Sequence, residues 1–339
     1  MKAAYLKAPF HFEVREVGLR EIKKDEVLVK VKACSVCGHD LILASDAATE
    51  WQPFGHEVSG VIERTGSDVK NVKPGDQVVL ESGTFDRFAE NSRNGRVDLD
   101  NKGPNFWLKD DDAMGFAEYI IVPMEVCVKF DGLSFMQTCV VEPMGVALDL
   151  VKTADIKLNN DVLVIGLGPI GLMAVRLAKA MGARKVYGSE LSAAQARIAL
   201  AQKWGVDEVI CPDRQPLAEY PFARGGLDRV LVTAPPRTIP DAIKVSNTGG
   251  IIAFLGIDYG PGGQVSFDSN VFHVNKLQLR SSFASPALFF PECLDLIKAG
   301  VINTEELITH TFRLEDIAAG IGKFREDRAT GIKAVMIND

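Results

Sequence analysis

The strongest constraint on this chain is the run Val162-Leu163-Val164-Ile165-Gly166-Leu167-Gly168-Pro169-Ile170-Gly171. Four consecutive apolar residues read as a strand buried on both faces, the condition inside a parallel sheet. The glycines that follow permit a tight turn, close backbone approach and contact between the next helix and the strand. A helix is predicted over residues 172–183. Its free N-terminal amides and positive dipole end face the turn, an arrangement that favours a pyrophosphate. Glu190 follows 19 residues after Gly171, where a carboxylate can accept both ribose hydroxyls of an adenosine. Gly166, Gly168, Pro169, Ile170, Gly171 and Glu190 are therefore read as a dinucleotide-binding set. A glycine turn that merely packs leaves Glu190 without a role. Leu191-Ser192 place no cation beside Glu190 to offset a 2′-phosphate, so NAD is expected over NADP.

A chain of 339 residues suggests two domains at about 150 residues each. From residue 161 strands and helices alternate: strands at 162–165, 185–189, 208–211, 229–233 and 251–257, helices at 172–181, 193–204 and 239–245. That rhythm is the doubly wound α/β signature. The N-terminal third reads differently. Short strand-like runs at 26–31, 58–64 and 77–80, the last after the turn Pro74-Gly75-Asp76, suggest a partly closed β-barrel. Between residues 81 and 115 the pattern gives way to polar residues, and Asp98, Asp100 and Asp110 to Asp112 read as a solvated acidic loop. A strand is expected over 116–123 and one helix over 135–152. Helices at 291–299 and 314–324 and a last strand at 333–337 complete the reading, with the tail returning to the first domain.

Composition narrows the function classes. A net charge of −7 leaves no basic footprint for nucleic acid. No apolar run approaches the roughly 18 residues of a membrane span, and nothing near Met1 resembles a secretory leader. Of six cysteines only Cys34 and Cys37 are close in sequence, which is no disulfide framework. A cytoplasmic protein with reduced thiols is expected.

Cys37-Gly38-His39-Asp40 and Gly55-His56-Glu57 carry a second kind of chemistry, Cys37 and His56 being 19 residues apart, with Glu142 far downstream. A catalytic zinc takes about three protein ligands from Cys, His and carboxylate and keeps one position open. The mix of soft thiolate, imidazole and carboxylate suits zinc better than magnesium or calcium. On these residues alone, a packed thiol and a satisfied core histidine stand equal to the metal reading. Cys34 and Cys37 also have the C-x-x-C spacing of a redox pair or half of a structural zinc site, although no second close pair follows.

The order of these segments resembles the zinc-dependent medium-chain dehydrogenases, which include alcohol, sorbitol and threonine dehydrogenases. The likeness spans Ala33 to Asp40, Gly55-His56-Glu57, Pro74 to Val78, Gly115 to Tyr119, Glu142-Pro143, the glycine turn, and Gly249-Gly250 with Gly256. It implies a GroES-like, partly open β-barrel catalytic domain over residues 1–146, completed by 286–339, and a Rossmann NAD-binding domain over 147–285. It also implies one catalytic zinc per chain on Cys37, His56 and Glu142, with Glu57 as the alternative third ligand. Asp40 would orient the histidine ligand. His39 stands where the family commonly has Ser or Thr, and an imidazole there can relay the substrate proton. In the resemblance Cys34 is no ligand.

Two departures follow. No cysteine lies between Cys37 and Cys127, so the second, structural zinc of many members is expected to be absent. Ser282-Phe283-Ala284 has alanine where polyol-type members often place a substrate-binding arginine. Glu142-Pro143 resembles the polyol, threonine and sugar branch more than the simple-alcohol branch. The expected activity is hydride transfer between NAD and a secondary alcohol such as a polyol, sugar alcohol or cyclitol, with a simple or amino-alcohol substrate as the alternative. Zinc-free quinone reductases lack the Cys37 and His56 segments. A catalytically inactive dinucleotide-binding protein is the alternative from another class. Trp51, Phe54, Phe106 and Trp107 are candidates for the substrate pocket, and a homodimer or homotetramer is expected, with residues 251–257 as an edge strand.

Overall fold

Val162, Leu163, Val164 and Ile165 are buried to 4% exposure or less, as a strand covered on both faces must be. The computed structural model describes residues 1–107 and 113–339; the aspartates at 110–112 lie outside the described residues. Its strands in chain order are β1 (Lys2–Lys7), β2 (His11–Glu16), β3 (Glu26–Ser35), β4 (Gln52–Pro53), β5 (Glu57–Thr65), β6 (Gln77–Leu80), β7 (Tyr119–Pro123), β8 (Cys127–Lys129), β9 (Asp161–Ile165), β10 (Lys185–Ser189), β11 (Glu208–Ile210), β12 (Leu227–Val232), β13 (Ser246–Phe254), β14 (Gln278–Ser281), β15 (Ile308–Phe312) and β16 (Lys333–Ile337).

The chain divides into two units, one of residues 1–145, 284–327 and 333–339, the other of residues 146–283 and 328–332. In the second unit six parallel strands run in the order β11-β10-β9-β12-β13-β14. Numbered from β9, that is 3-2-1-4-5-6, the doubly wound order, and it reverses direction between β9 and β12. The glycine turn leaves β9 at this switch point. Leu163, Tyr187, Val230, Val232 and Ile252 from β9, β10, β12 and β13 cluster with Ile243 of the helix Ile239–Lys244 in one apolar core.

In the first unit β3 is the spine. It pairs with β5, β7 and β16 within a seven-stranded sheet whose main path is β15-β16-β3-β5-β6-β8. Val27, Val29 and Val31 alternate inward from β3 and pack with Phe54, Phe116 and Met336. Register shifts at Leu28/Val29 and Val31/Ala33 bend β3 against β5.

Three expectations are corrected. The helix expected over 135–152 is two, Phe135–Thr138 and Val141–Thr153. Pro143 enforces the break, because its ring in a continuous helix would collide with the carbonyl of Cys139; at the third residue of a new helix it costs no bond. Residues 251–257 are no edge: β13 runs from Ser246 to Phe254 between β12 and β14, and the edge strand is β14. Asp98 is exposed, but Asp100 is 6% exposed, and its Oδ1 accepts the backbone N–H groups of Asp86 (3.3 Å) and Lys102 (3.0 Å). That carboxylate closes a loop carrying the short helices Glu90–Arg93 and Val97–Leu99.

Candidate active site

Antiparallel pairing sets Ser35, the last residue of β3, opposite Glu57, the first of β5. Cys37 follows Ser35 by two residues and His56 precedes Glu57 by one, so the two motifs meet where the strands end. The backbone reaches His56 through Gly55, whose φ of +95° is open to glycine, and a Cβ there would lie 2.5 Å from the Phe116 ring. Cys37 caps the helix Gly38–Ile42: its Sγ accepts the His39 N–H at 3.4 Å, and Asp40 Oδ2 accepts the Cys37 N–H at 2.9 Å.

One ligand atom each from Cys37, His56 and Glu57 lies within 4.8 Å of the other two. His56 and Glu57 are buried and Cys37 is half-buried. Glu142, 8% exposed, stands close enough for its charge to act on Cys37 and Lys333, but it falls outside that tight triplet. Asp40 Oδ1 faces His56 Nδ1 at 3.7 Å, and neither atom has a hydrogen-bond partner. Asp40 thus fixes the Cys37 backbone with one oxygen and approaches the His56 ring with the other.

The electrostatics of this cluster are those of a cation site. Burial, reinforced by Glu57 and Asp40, pushes the Cys37 thiol well above its ordinary range, and burial pushes His56 well below its own. Burial and then Glu57 raise Glu142 to about 8, and burial also raises Asp40 to about 7. Thiol, carboxyls and imidazole are all driven toward their neutral forms, and a divalent ion reverses that for each acid. The donor chemistry and the two unpartnered atoms of Asp40 and His56 fit a zinc ion.

His39 is half-buried, with its pKa lowered by burial. Its ring centroid lies 6.3 Å from that of His56 and 5.7 Å from that of Trp107. Trp107 itself lies 4.2 Å from the His56 ring. The other aromatic candidates are elsewhere. Phe54 and Phe106 are 2% exposed core residues, and Trp51 lies under the Arg15 guanidinium at 5.1 Å.

At the switch point the helix begins at Pro169, three residues earlier than expected, with Gly168 as its N-cap. Gly166 has φ +92°, and a Cβ on it would meet Ala234 N at 2.9 Å; one on Gly171 would sit 1.9 Å from the Gly166 carbonyl oxygen. A Cβ on Gly168 would meet nothing within 4 Å, which leaves the turn open on the side where a phosphate would approach. Ile170 follows in the first turn of that helix. Glu190 Oε2 accepts the Leu167 N–H at 3.0 Å, which ties the end of β10 to the glycine turn. Leu191-Ser192 place no cation beside Glu190, but the next helix brings one near: Arg197 Nη1 lies 3.6 Å from Glu190 Oε2. Its signal was a basic residue entering the next helix seven positions after Glu190.

Sequence reasoning also missed Lys333 and Ser35. Lys333 Nζ lies 2.7 Å from Glu57 Oε1 and 2.5 Å from Oε2, and Ser35 Oγ donates to Oε2 as well. The available signal was a lone lysine in the apolar run Ile332 to Ile337.

A family model described as the alcohol dehydrogenase GroES-like domain matches residues 23–132, and one described as zinc-binding dehydrogenase matches residues 169–299. L-threonine 3-dehydrogenase of Bacillus velezensis is 30% identical over 330 residues, covering 94% of this chain and 93% of that protein. Sorbitol dehydrogenase of Bacillus subtilis is 28% identical over 328 residues, covering 93% and 91%. The crystal structure of 2R,3R-butanediol dehydrogenase from Bacillus subtilis superposes with a TM-score of 0.84 at 27% identity, covering 100% of this chain and 99% of that one.

Proposed function

This chain belongs to the zinc-dependent medium-chain dehydrogenase family, and we propose that it transfers a hydride between a secondary alcohol, of the polyol, sugar-alcohol or cyclitol class, and NAD. The observation that carries the reading is the Cys37, His56 and Glu57 triplet with its atoms inside 4.8 Å, in a chain that also bears an open glycine turn tied to Glu190.

Cys37, His56 and Glu142 or Glu57 would hold a zinc ion, which would supply Lewis acidity toward a substrate hydroxyl. The turn Gly166 to Gly171 and Glu190 would hold NAD, which would supply the hydride acceptor. The chain's own residues do the rest. Asp40 holds the Cys37 backbone and faces the His56 ring across 3.7 Å, placed to orient that ring when the ion is bound. His39, kept neutral by burial, takes the hydroxyl proton and passes it outward. Trp107, tilted against the His56 ring at 4.2 Å, would help shield that side from water.

The substrate class follows Glu142-Pro143 and the relatives that act on sorbitol and butanediol. An amino-alcohol is the second reading, favoured by the threonine dehydrogenase at 30% identity. The described residues contain no helix long and apolar enough to cross a membrane, and all six cysteines are free, which supports a reducing, cytoplasmic setting. The unpaired edge of β14 supports a homodimer or homotetramer.

The deciding experiment measures zinc per chain and NAD reduction across polyols, threonine and short alcohols. About one zinc per chain with turnover of a secondary alcohol supports the proposal. Full activity at near-zero zinc, or NAD binding without turnover of any alcohol, refutes it.

A further inference from the structure

Lys333 is the only buried lysine among the described residues. Its side chain is 4% exposed and its ammonium contacts both oxygens of the Glu57 carboxylate. The contact is built by topology. Val335 of β16 pairs with Ser35 of β3, and Ser35 pairs with Glu57 of β5, so Lys333, two residues before Val335, reaches across β3. Ser35 supplies a second donor to the same carboxylate. Around it stand Cys37, Asp40 and Glu142, each an acid on which the Lys333 charge acts. The Glu142 side chain, by contrast, has no hydrogen bond or ion pair among the described residues.

We propose that Lys333 is a resident counter-cation of the metal centre, which holds Glu57 in competition with the zinc ion and keeps the buried acids paired when zinc is absent. The inference rests on the zinc-dehydrogenase reading above. One carboxylate serves two cations poorly. A divalent ion drawn to Glu57 would bring its charge against the ammonium, and the two repel. Buried charge left without a partner is strongly unfavourable, so the metal-free site needs Lys333 as much as the metal-loaded site is opposed by it. Glu142 carries no such competitor and is the carboxylate free to serve the ion.

The sign of one measurement separates this role from simple support of a ligand. The zinc dissociation constant is measured by competition with a chromophoric chelator for wild type, Lys333→Met and Lys333→Arg, with melting curves of the stripped and zinc-loaded proteins. Lys333→Met is expected to bind zinc more tightly, on the order of tenfold. Its stripped form is expected to melt lower than wild type, with a smaller loss in the loaded form. Lys333→Arg keeps the charge and is expected to retain wild-type affinity. Zinc binding by Lys333→Met that is unchanged or weaker overturns the proposal. If Lys333→Met does not fold, Lys333→Gln, which still donates to Glu57, carries the same comparison. Cys37→Ser serves as the control for the underlying reading: wild-type zinc affinity in that variant refutes the zinc site itself, whatever Lys333 does.

Discussion

Gly171 joins the dinucleotide turn to its helix by a contact that any side chain would destroy, and Gly171→Ala puts that to a quantitative test. The added Cβ would sit 1.9 Å from the carbonyl oxygen of Gly166 and 2.9 Å from Thr233 Oγ1. Cβ atoms essentially never approach closer than 3.0 Å, so the helix Pro169–Ala180 must withdraw from β9 by at least about 1.1 Å. The obstacle is backbone, and Thr233 Oγ1 already donates to that same carbonyl at 2.7 Å, so no side chain can turn aside to make room. The cost should fall at the upper end of overpacking, about 3 kcal/mol. For a unit of this size that lowers the melting temperature by roughly 6–12 °C. A shift of this kind would move the helix amides away from a bound pyrophosphate, so weaker NADH binding is expected, with about 10²-fold slower turnover from an ångström of misplacement. Differential scanning calorimetry and a fluorescence titration with NADH measure the two effects. Gly168→Ala is the contrast: with nothing within 4 Å and ordinary φ, it should change stability by less than about 0.5 kcal/mol. If Gly171→Ala melts and binds NADH like wild type, the close approach of turn and helix does not place the cofactor site.

Other outcomes follow from the same structure. Glu26 is 4% exposed; burial alone would raise its pKa, but bonds from Arg20 and Lys23 bring it from 4.5 down to about 2. A depressed carboxylate pKa gives stability that is complete above pH 4.5 and is lost as pH falls toward 2. Glu26→Gln should therefore cost roughly 2–3 kcal/mol at pH 7 and converge with wild type near pH 2 in urea titrations; parallel curves at all pH values would refute this. His39→Gln should lower the rate and remove the acid limb of the pH–rate profile, which the lowered His39 pKa places below 6.5; an unchanged rate and profile exclude the relay. Asp40→Asn should weaken zinc binding by about 10–100-fold by loosening His56 and Cys37, read by chelator competition; wild-type affinity would show that Asp40 does not orient the ligands.

What was legible in the sequence was whatever short-range pattern encodes. The β9 run and the glycine turn announce a parallel strand and its helix within one βαβ unit. Cys37 and His56 are legible because their segments are compact motifs. Lys333 was hidden because its meaning depends on a cross-strand register joining residues 35, 57 and 333, and a single lysine in an apolar run reads locally as an exposed end. Arg197 was missed for the same reason on a shorter scale, since a helix turn brings it back over Glu190. The edge strand β14 carries Gln278, Arg280 and Ser281, and such polar edges show no apolar run. The helix break at 139–140 was legible in Pro143 and was overlooked in favour of the longer apolar periodicity.

Asp100 has a consequence beyond the shape of its loop. Two backbone amides converge on one carboxylate in a segment that carries no cysteine between Cys37 and Cys127, so thiol oxidation has nothing to act on in this loop.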